Sequence, residues 1–571
     1  MKLGRGPMLG VWLALCVHGP LVAAGLYRHS ADVATHIFLA DHYRRSWFGL
    51  WEPRWFGGFS VSSYPPLVHQ LLALLSIPFG YDGAFAILLL TTLIAIPVAV
   101  WRFARIFVSP AAASAAAVVA VFLPGVALAG YAYGQLPTAV SLTITLFLVF
   151  ECTRFVERGG GFALGLIAGL AGMAFAAHHA TPLLFMPPAL LASLSTVLLV
   201  GDDRETRGLR LRRAVIALAT CLIAGVVVIA PFWLWAGAGF HQAIIPHNSR
   251  TNFLVDASAQ SLFVWGEYGV VPALAVFGLW RRFDRRTVAV AVLAGFLGVI
   301  GLGGTTAIPA LLFGSQWQWL TYDRFALWAA VALLPLAGVA VNHLVSVRFA
   351  LSRALGIAAL FVLFAYSGAN AVTSLSSSVA SRDVRPIVEY LNAGRTQWRY
   401  QTFGFGNDST AVAYQTRAAT IDGSYFSARR LPELTGSGIG NLDAALWWDP
   451  SGRVLRRVLA RADFYSIRWA FSREPDDDPY LAEAGFASRG MLPGGIEVWE
   501  NPAAPPVPAE ALRFAAPDAA GILWGSLPLA FAILALAFAL ATYWRLAYRP
   551  MIAGQRVARF ASPAIPGLAR D

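Results

Sequence analysis

Charge is what this 571-residue sequence has least of: Asp, Glu, Lys and Arg together make 13% of it, against 57% hydrophobic residues. With a mean hydropathy of +0.60, that balance excludes one soluble domain of this length and leaves a polytopic α-helical membrane protein. Cysteine is nearly absent. Cys16, Cys152 and Cys221 all lie in apolar segments, which excludes a disulfide framework or a thiolate zinc site and leaves packing roles. There is no Walker motif and no nucleotide-binding domain. The net charge of +12 does not imply nucleic acid either, because the basic residues form short clusters between apolar runs, at 102–105, 204–213, 281–286 and 545–559. That is the positive-inside pattern of membrane proteins, not a basic patch. Lys2 and Arg5 ahead of an apolar run resemble a signal peptide, but the run reads better as an uncleaved first helix.

Runs long enough to span a bilayer, about 17–25 residues each, fall near 9–26, 83–101, 111–130, 137–153, 161–177, 183–200, 214–235, 261–280, 287–304, 325–343, 353–370 and 521–543. They predict about twelve transmembrane helices. The shorter run from Pro66 to Phe79 suits an interfacial helix. Only if it stays on the outer side do all the basic clusters fall in the cytoplasm. A first outer loop over 27–82 follows, inside a membrane domain over 1–371. Composition turns globular over 372–520, with turn clusters and short candidate strands at 398–405, 464–469 and 496–499 and a helix at 384–391. This predicts a small outer α+β domain. Residues 521–571 then form a last helix and a basic tail.

The same parity gathers the polar motifs on one face: Asp32 to His36, Tyr131 to Pro137, His178 to Thr181, His241 to Asn252 and Gln316 to Arg324. Carboxylates held at a membrane edge are costly, so such convergence points to a site.

Taken in order, Asp32 with His36, Pro53-Arg54-Trp55, Tyr64-Pro65-Pro66-Leu67, Gly134-Gln135-Leu136 and Asp323-Arg324-Phe325 resemble the GT-C superfamily of integral-membrane glycosyltransferases. The resemblance is strongest to bacterial membrane proteins grouped under a "6-pyruvoyl-tetrahydropterin synthase related" label, and it covers about residues 1–370. It implies inverting transfer from a polyprenyl-phosphate-linked sugar to an envelope glycan, lipid or protein acceptor at the outer face of a bacterial cytoplasmic membrane, with a first-loop carboxylate as base. No pterin chemistry is implied, since the soluble part has no histidine cluster to hold a synthase zinc.

Such chemistry asks for a base near the acceptor hydroxyl, a cation for the leaving phosphate and surfaces for the sugar. Asp32 is the first candidate base, Asp41 the second, with His36 one helical turn from Asp32. Arg324 and Arg54 are candidate phosphate ligands, since guanidinium grips phosphate in a fork, with His178 and His179 beside them. Trp51, Trp55, Tyr64, Tyr133, Gln135, Gln316, Trp317 and Trp319 offer sugar-binding faces and hydrogen bonds. Each has a plainer reading. Asp32 is also a fitting N-cap for a helix from Val33, Arg324 a partner for Asp323, Arg54 an interfacial anchor and the aromatics a membrane belt. Asp32 and His36 together are a partial ligand set for Mg²⁺ or Mn²⁺, short of a complete site. A lipid or polysaccharide transporter is the competing class, disfavoured by helix centres almost free of ionisable residues. A non-catalytic assembly scaffold is the third.

Overall fold

A computed structural model describes residues 6–199, 204–235, 242–346, scattered positions over 351–365, and 382–560. Helices dominate. By length and apolarity, five described helices are able to cross a membrane: Leu67–Phe107, Leu136–Arg158, Arg204–Pro231, Asp323–Val345 and Ala519–Thr542. Two bent pairs, Pro110–Val121 with Pro124–Ala132 and Ala257–Tyr268 with Val271–Arg281, raise the number to seven. The expected twelve is therefore not reached among the described residues. Apolar helices Met8–Ala23, Gly161–Ala177 and Met186–Leu198 stand where spans were expected but are short, and most of the 353–370 run lies outside the described residues. Proline and glycine mark the breaks inside the bent pairs. Pro124 starts a new helix after a break, and Gly269, at φ 52°, interrupts the run after Tyr268.

Asp323–Val345 is the central pillar, with most of its side chains buried. Glycines let its neighbours approach: a Cβ on Gly338 would strike the Ala112 carbonyl, and one on Gly278 the Leu336 carbonyl. The pillar's first turn carries Asp323 and Arg324, so these are set on a rigid element. Cys152 and Cys221 stay reduced at 3.8 Å between sulfurs, packed in the helical core.

The first polar segment is ordered. Helix Val33–Arg45 is followed by a two-stranded hairpin, β1 (Trp51–Glu52) and β2 (Phe59–Ser60), and then by the helix from Leu67. Gly80, at φ 68° and ψ 170°, breaks that helix at the boundary expected after Phe79.

Residues 382–518 build a mixed sheet of β3 (Arg399–Phe403), β4 (Ile467–Ser472), β5 (Ala487–Leu492) and β6 (Ile496–Glu500), in the order β3-β4-β6-β5. β3 and β4 are parallel and the other pairs antiparallel. Strand β5 was not foreseen, because its side chains are mostly exposed and give no apolar alternation. This region is not independent of the first loop: Phe38, Leu39, Trp55, Phe56, Phe59 and Val61 share one apolar core with Phe403, Ile421, Leu455 and Ile467.

Candidate active site

Helix Val33–Arg45 is held at its start by a backbone zipper. Ala31 N–H donates to the Ala132 carbonyl (2.9 Å) and Asp32 N–H to the Tyr133 carbonyl (3.1 Å). The approach needs glycine at 134: its φ is +72°, and a Cβ there would lie 2.7 Å from Ser30 Oγ and 3.0 Å from Asp32 N. This juxtaposition places Tyr133 and Gln135 beside Asp32. Gln135 Nε2 then donates to Asp323 Oδ2 (2.7 Å), tying the loop to the pillar.

Asp32 occupies the N-cap position but makes no side-chain cap bond. Its carboxyl is pushed up to about 6, first by burial, then by Asp323, with Arg324 pulling the other way. His36 is buried and held down at about 4, chiefly by burial, so it is neutral at pH 7. A hydrogen-bond chain fixes its tautomer. His69 Nδ1 lies 3.1 Å from the Pro65 carbonyl and so carries the proton; His69 Nε2 then accepts from His36 Nδ1 at 3.1 Å. His36 Nε2 closes no well-formed hydrogen bond, though the Gly134 carbonyl lies near enough to favour a proton on the ring. Tyr64 packs edge-on against both imidazoles, with ring centroids 6.0 Å and 5.0 Å away.

Arg324 lies half-buried opposite, close enough to act electrostatically on Asp32, His36 and His178. Its Nε has no hydrogen-bond partner, and it forms no ion pair with Asp323. Asp323 Oδ1 and the Tyr133 hydroxyl are also buried and unpartnered. Three orphaned polar atoms around one carboxylate are expensive unless something polar binds among them. His178 meets Thr181 Oγ1 at 2.7 Å, and His179 starts the short helix Ala180–Leu184.

The other expected residues lie elsewhere. Asp41, at the far end of the same helix, accepts from Arg45 (2.6 Å), Arg54 (2.6 Å) and the Tyr81 hydroxyl (2.5 Å). Arg54 is buried and spends its guanidinium on Asp41, Glu52 and the Ala413 carbonyl. These bonds join Asp41 and Arg54 in a closed network at the far end of the helix from Asp32. Trp55 is fully buried, stacked on Phe38 at 3.7 Å between ring centroids, which leaves no face for a sugar. Trp51 is 39% exposed on β1. Gln316 is exposed and Trp317 half-buried in the turn Gly314–Trp319, where the Trp317 carbonyl accepts from the Tyr322 hydroxyl (2.8 Å). Trp319 is exposed in that turn as well.

Two neighbours were not foreseen, His69 and Glu267, and a third, His247, lies within the gathered motif His241 to Asn252 without having been singled out. His247 acts electrostatically on the same side as Asp323 and Arg324. Glu267 is buried against Gly125, with Oε2 unpartnered, and acts on Asp323. As the one carboxylate in the apolar run 261–280, Glu267 carried a readable signal. Among the described residues no three His, Cys, Asp or Glu side chains converge in metal-holding geometry, so Asp32 and His36 remain a pair.

No protein-family model matches the chain, and no curated protein sequence matches it. Solved structures do. ArnT from Cupriavidus metallidurans bound to undecaprenyl phosphate aligns with a TM-score of 0.51 at 11% identity, over 85% of this chain and 97% of that one. Its apo state gives 0.51 at 13%, over 86% and 98%. The Archaeoglobus fulgidus oligosaccharyltransferase tethered with an acceptor peptide gives 0.51 at 11%, over 83% of this chain and 70% of that one. Against the apo form of that oligosaccharyltransferase the chain spans 66% of its length. These neighbours are GT-C membrane glycosyltransferases, and the chain has the GT-C fold that the sequence resemblance implied.

Proposed function

We propose that this chain is a membrane glycosyltransferase that moves a sugar from a polyprenyl-phosphate carrier to an acceptor hydroxyl, with inversion at the anomeric carbon and Asp32 as base. The observation that carries the reading is the pairing of an uncapped, half-buried Asp32, with its carboxyl near 6, and an Arg324 guanidinium that forms no ion pair among the described residues. A carboxylate of that basicity is ionised at neutral pH and still able to take a proton. As the acceptor oxygen bonds to the anomeric carbon, its proton passes to Asp32. The bond from that carbon to the phosphate oxygen breaks, and Arg324 grips the departing phosphate, with His178 and His179 beside it. His36, fixed by His69, presents Nε2 to sugar or acceptor. Tyr133, Tyr64 and Gln135 line the sugar. A neighbour of the same fold is bound to undecaprenyl phosphate and another is tethered to a peptide acceptor, in keeping with a lipid-linked donor and a separate acceptor.

The site faces the outer side of a bacterial cytoplasmic membrane in this reading, with 372–520 outside and about twelve spans, as the basic clusters require. A cysteine at Asp82 in a cysteine-free background then reacts with an impermeant thiol reagent from outside, and one at Asp284 only after the membrane is opened. The decisive experiment incubates purified protein with a panel of polyprenyl-phosphate sugars and follows release of free polyprenyl phosphate. Release that depends on Asp32 is expected. Its absence with every donor, with cellular function retained in Asp32→Asn, selects the scaffold reading instead.

A further inference from the structure

A cavity of about 1080 Å³ opens between the sheet region and the outer flank of helix Val33–Arg45. It is not the Asp32 site. Its floor includes Ser30, Ala31, Val33, Ala34 and Ile37, but neither Asp32, His36 nor Arg324. It therefore lies behind the helix start whose opposite side carries the orphaned polar atoms. Its rim belongs to the sheet region, where Trp447 is 73% exposed and set edge-on to Trp448 at 4.6 Å between ring centroids. An indole left in water on the wall of a deep cleft is an unused binding face.

The charge of the cleft selects the occupant. Its cations are already matched by anions: Arg28 pairs with Asp82, Arg385 with Asp383, and Arg382 N–H donates to Asp408 while its guanidinium lies 3.6 Å from Glu474. Among the described lining residues each arginine is paired, so none waits for a phosphate or a polyanion; between these pairs the walls carry Tyr81, Tyr414, Trp447 and Trp448, aromatic faces that suit the apolar faces of sugar rings. Amides from Asn407, Gln415 and Asn441 supply neutral hydrogen bonds. The volume is at the upper end of that of a small-molecule pocket, about 300–1,000 Å³, so a chain of rings fits better than one ring.

We infer that this cleft holds a neutral oligosaccharide stacked on Trp447, the non-reacting body of the acceptor. The assignment of the bound glycan as acceptor rests on the proposed transfer reaction; the binding itself does not. It makes the acceptor a growing glycan, not a protein or a free lipid.

The test begins with binding of the full-length protein to an array of neutral oligosaccharides, acidic oligosaccharides and peptides, with Trp447→Ala and Asp32→Asn beside the unmodified chain. Trp447 is exposed, so its removal leaves folding intact. A neutral glycan bound by the unmodified protein and by Asp32→Asn, but at least tenfold more weakly by Trp447→Ala, is expected. In transfer assays Trp447→Ala should raise KM for long acceptors and leave kcat for a short one unchanged. Binding confined to peptides or acidic glycans, no binding to any neutral glycan, or equal binding by Trp447→Ala overturns the assignment. Trp447-dependent binding without transfer from any polyprenyl-phosphate sugar overturns the proposed reaction instead and leaves the cleft standing.

Discussion

The two ends of helix Val33–Arg45 use the same chemistry to opposite ends. At the C-terminal end, Asp41, Arg54, Glu52 and His42 are buried and close every bond: Arg54 grips both oxygens of Glu52, and His42 bridges Glu52 (3.1 Å) to the Gly49 carbonyl (2.8 Å). Burial alone would raise Glu52, but Arg54 and His42 outweigh it and hold its carboxyl at about 2. At the N-terminal end, Asp32, His36, Asp323 and Arg324 also sit close together, yet Arg324 Nε and Asp323 Oδ1 have no partners. A closed network fixes the first loop against the sheet region, while an open one is left ready for a ligand. Residue type does not separate the two; satisfaction of the bonds does.

The largest effect should come from breaking the open end. Asp32→Asn keeps size and helix-capping ability and removes basicity, so turnover should fall about 100- to 10,000-fold, with protein yield unchanged and no loss of stability. Release of polyprenyl phosphate from the preferred donor measures it. Near-normal turnover would dissolve the distinction between the two ends.

Breaking the closed end should cost stability instead. Arg54→Met leaves Asp41 and Glu52 buried without their cation, a loss of about 3–5 kcal/mol, read as a drop in melting temperature in detergent. The fraction that stays folded should turn over normally. A variant as stable as the unmodified protein, with donor binding lost, would return Arg54 to the phosphate.

The GT-C fold and the gathering of polar motifs near Asp32 were legible because membrane chemistry makes polar residues rare and therefore informative, whereas the tie of Gln135 to Asp323 was not. Nor was the division of labour between Arg54 and Arg324. Both are arginines next to aromatics in the sequence, and only the positions of Glu52 and Asp41 show which one is occupied. Trp55 misled for a related reason: an indole beside a polar loop reads as interfacial, but the sheet region, more than 300 residues later, covers it. The full helix count is not reached among the described residues, where three of the apolar helices are short. His69 gave no signal of its own, since a lone histidine in an apolar run carries no period or spacing; its value comes from the His36 contact.

A conservative change at the open end comes next in size. Arg324→Lys keeps the charge but loses the fork, so it should cost about 1.5–3 kcal/mol, the usual worth of hydrogen bonds to a charged group, or roughly ten- to a hundredfold in kcat/KM. Donor affinity should weaken with it, while acceptor KM stays constant. If Arg324→Lys remains fully active and a chelator abolishes turnover until Mg²⁺ or Mn²⁺ is restored, a metal ion and not this guanidinium neutralises the leaving phosphate.

The smallest effects concern pH, where the two ends carry opposite signs. Asp32 holds its proton more tightly folded, at about 6, than at its ordinary 3.8, so its contribution to stability is greatest in acid and declines as pH rises through that window. Glu52 is held at about 2 against an ordinary 4.5, so its contribution is complete above 4.5 and is lost as pH falls toward 2. Turnover needs ionised Asp32 and should therefore rise with pH through an acidic limb centred near 6, reaching half its plateau there. In Asp32→Asn that limb should vanish from the residual rate. The same variant should be slightly more stable than the unmodified protein at pH 7 and lose that margin by pH 4, because a neutral amide no longer resists burial. A limb that persists near 6 in Asp32→Asn would assign it to another group at the open end, with Asp323 and Glu267 the carboxylates to replace next.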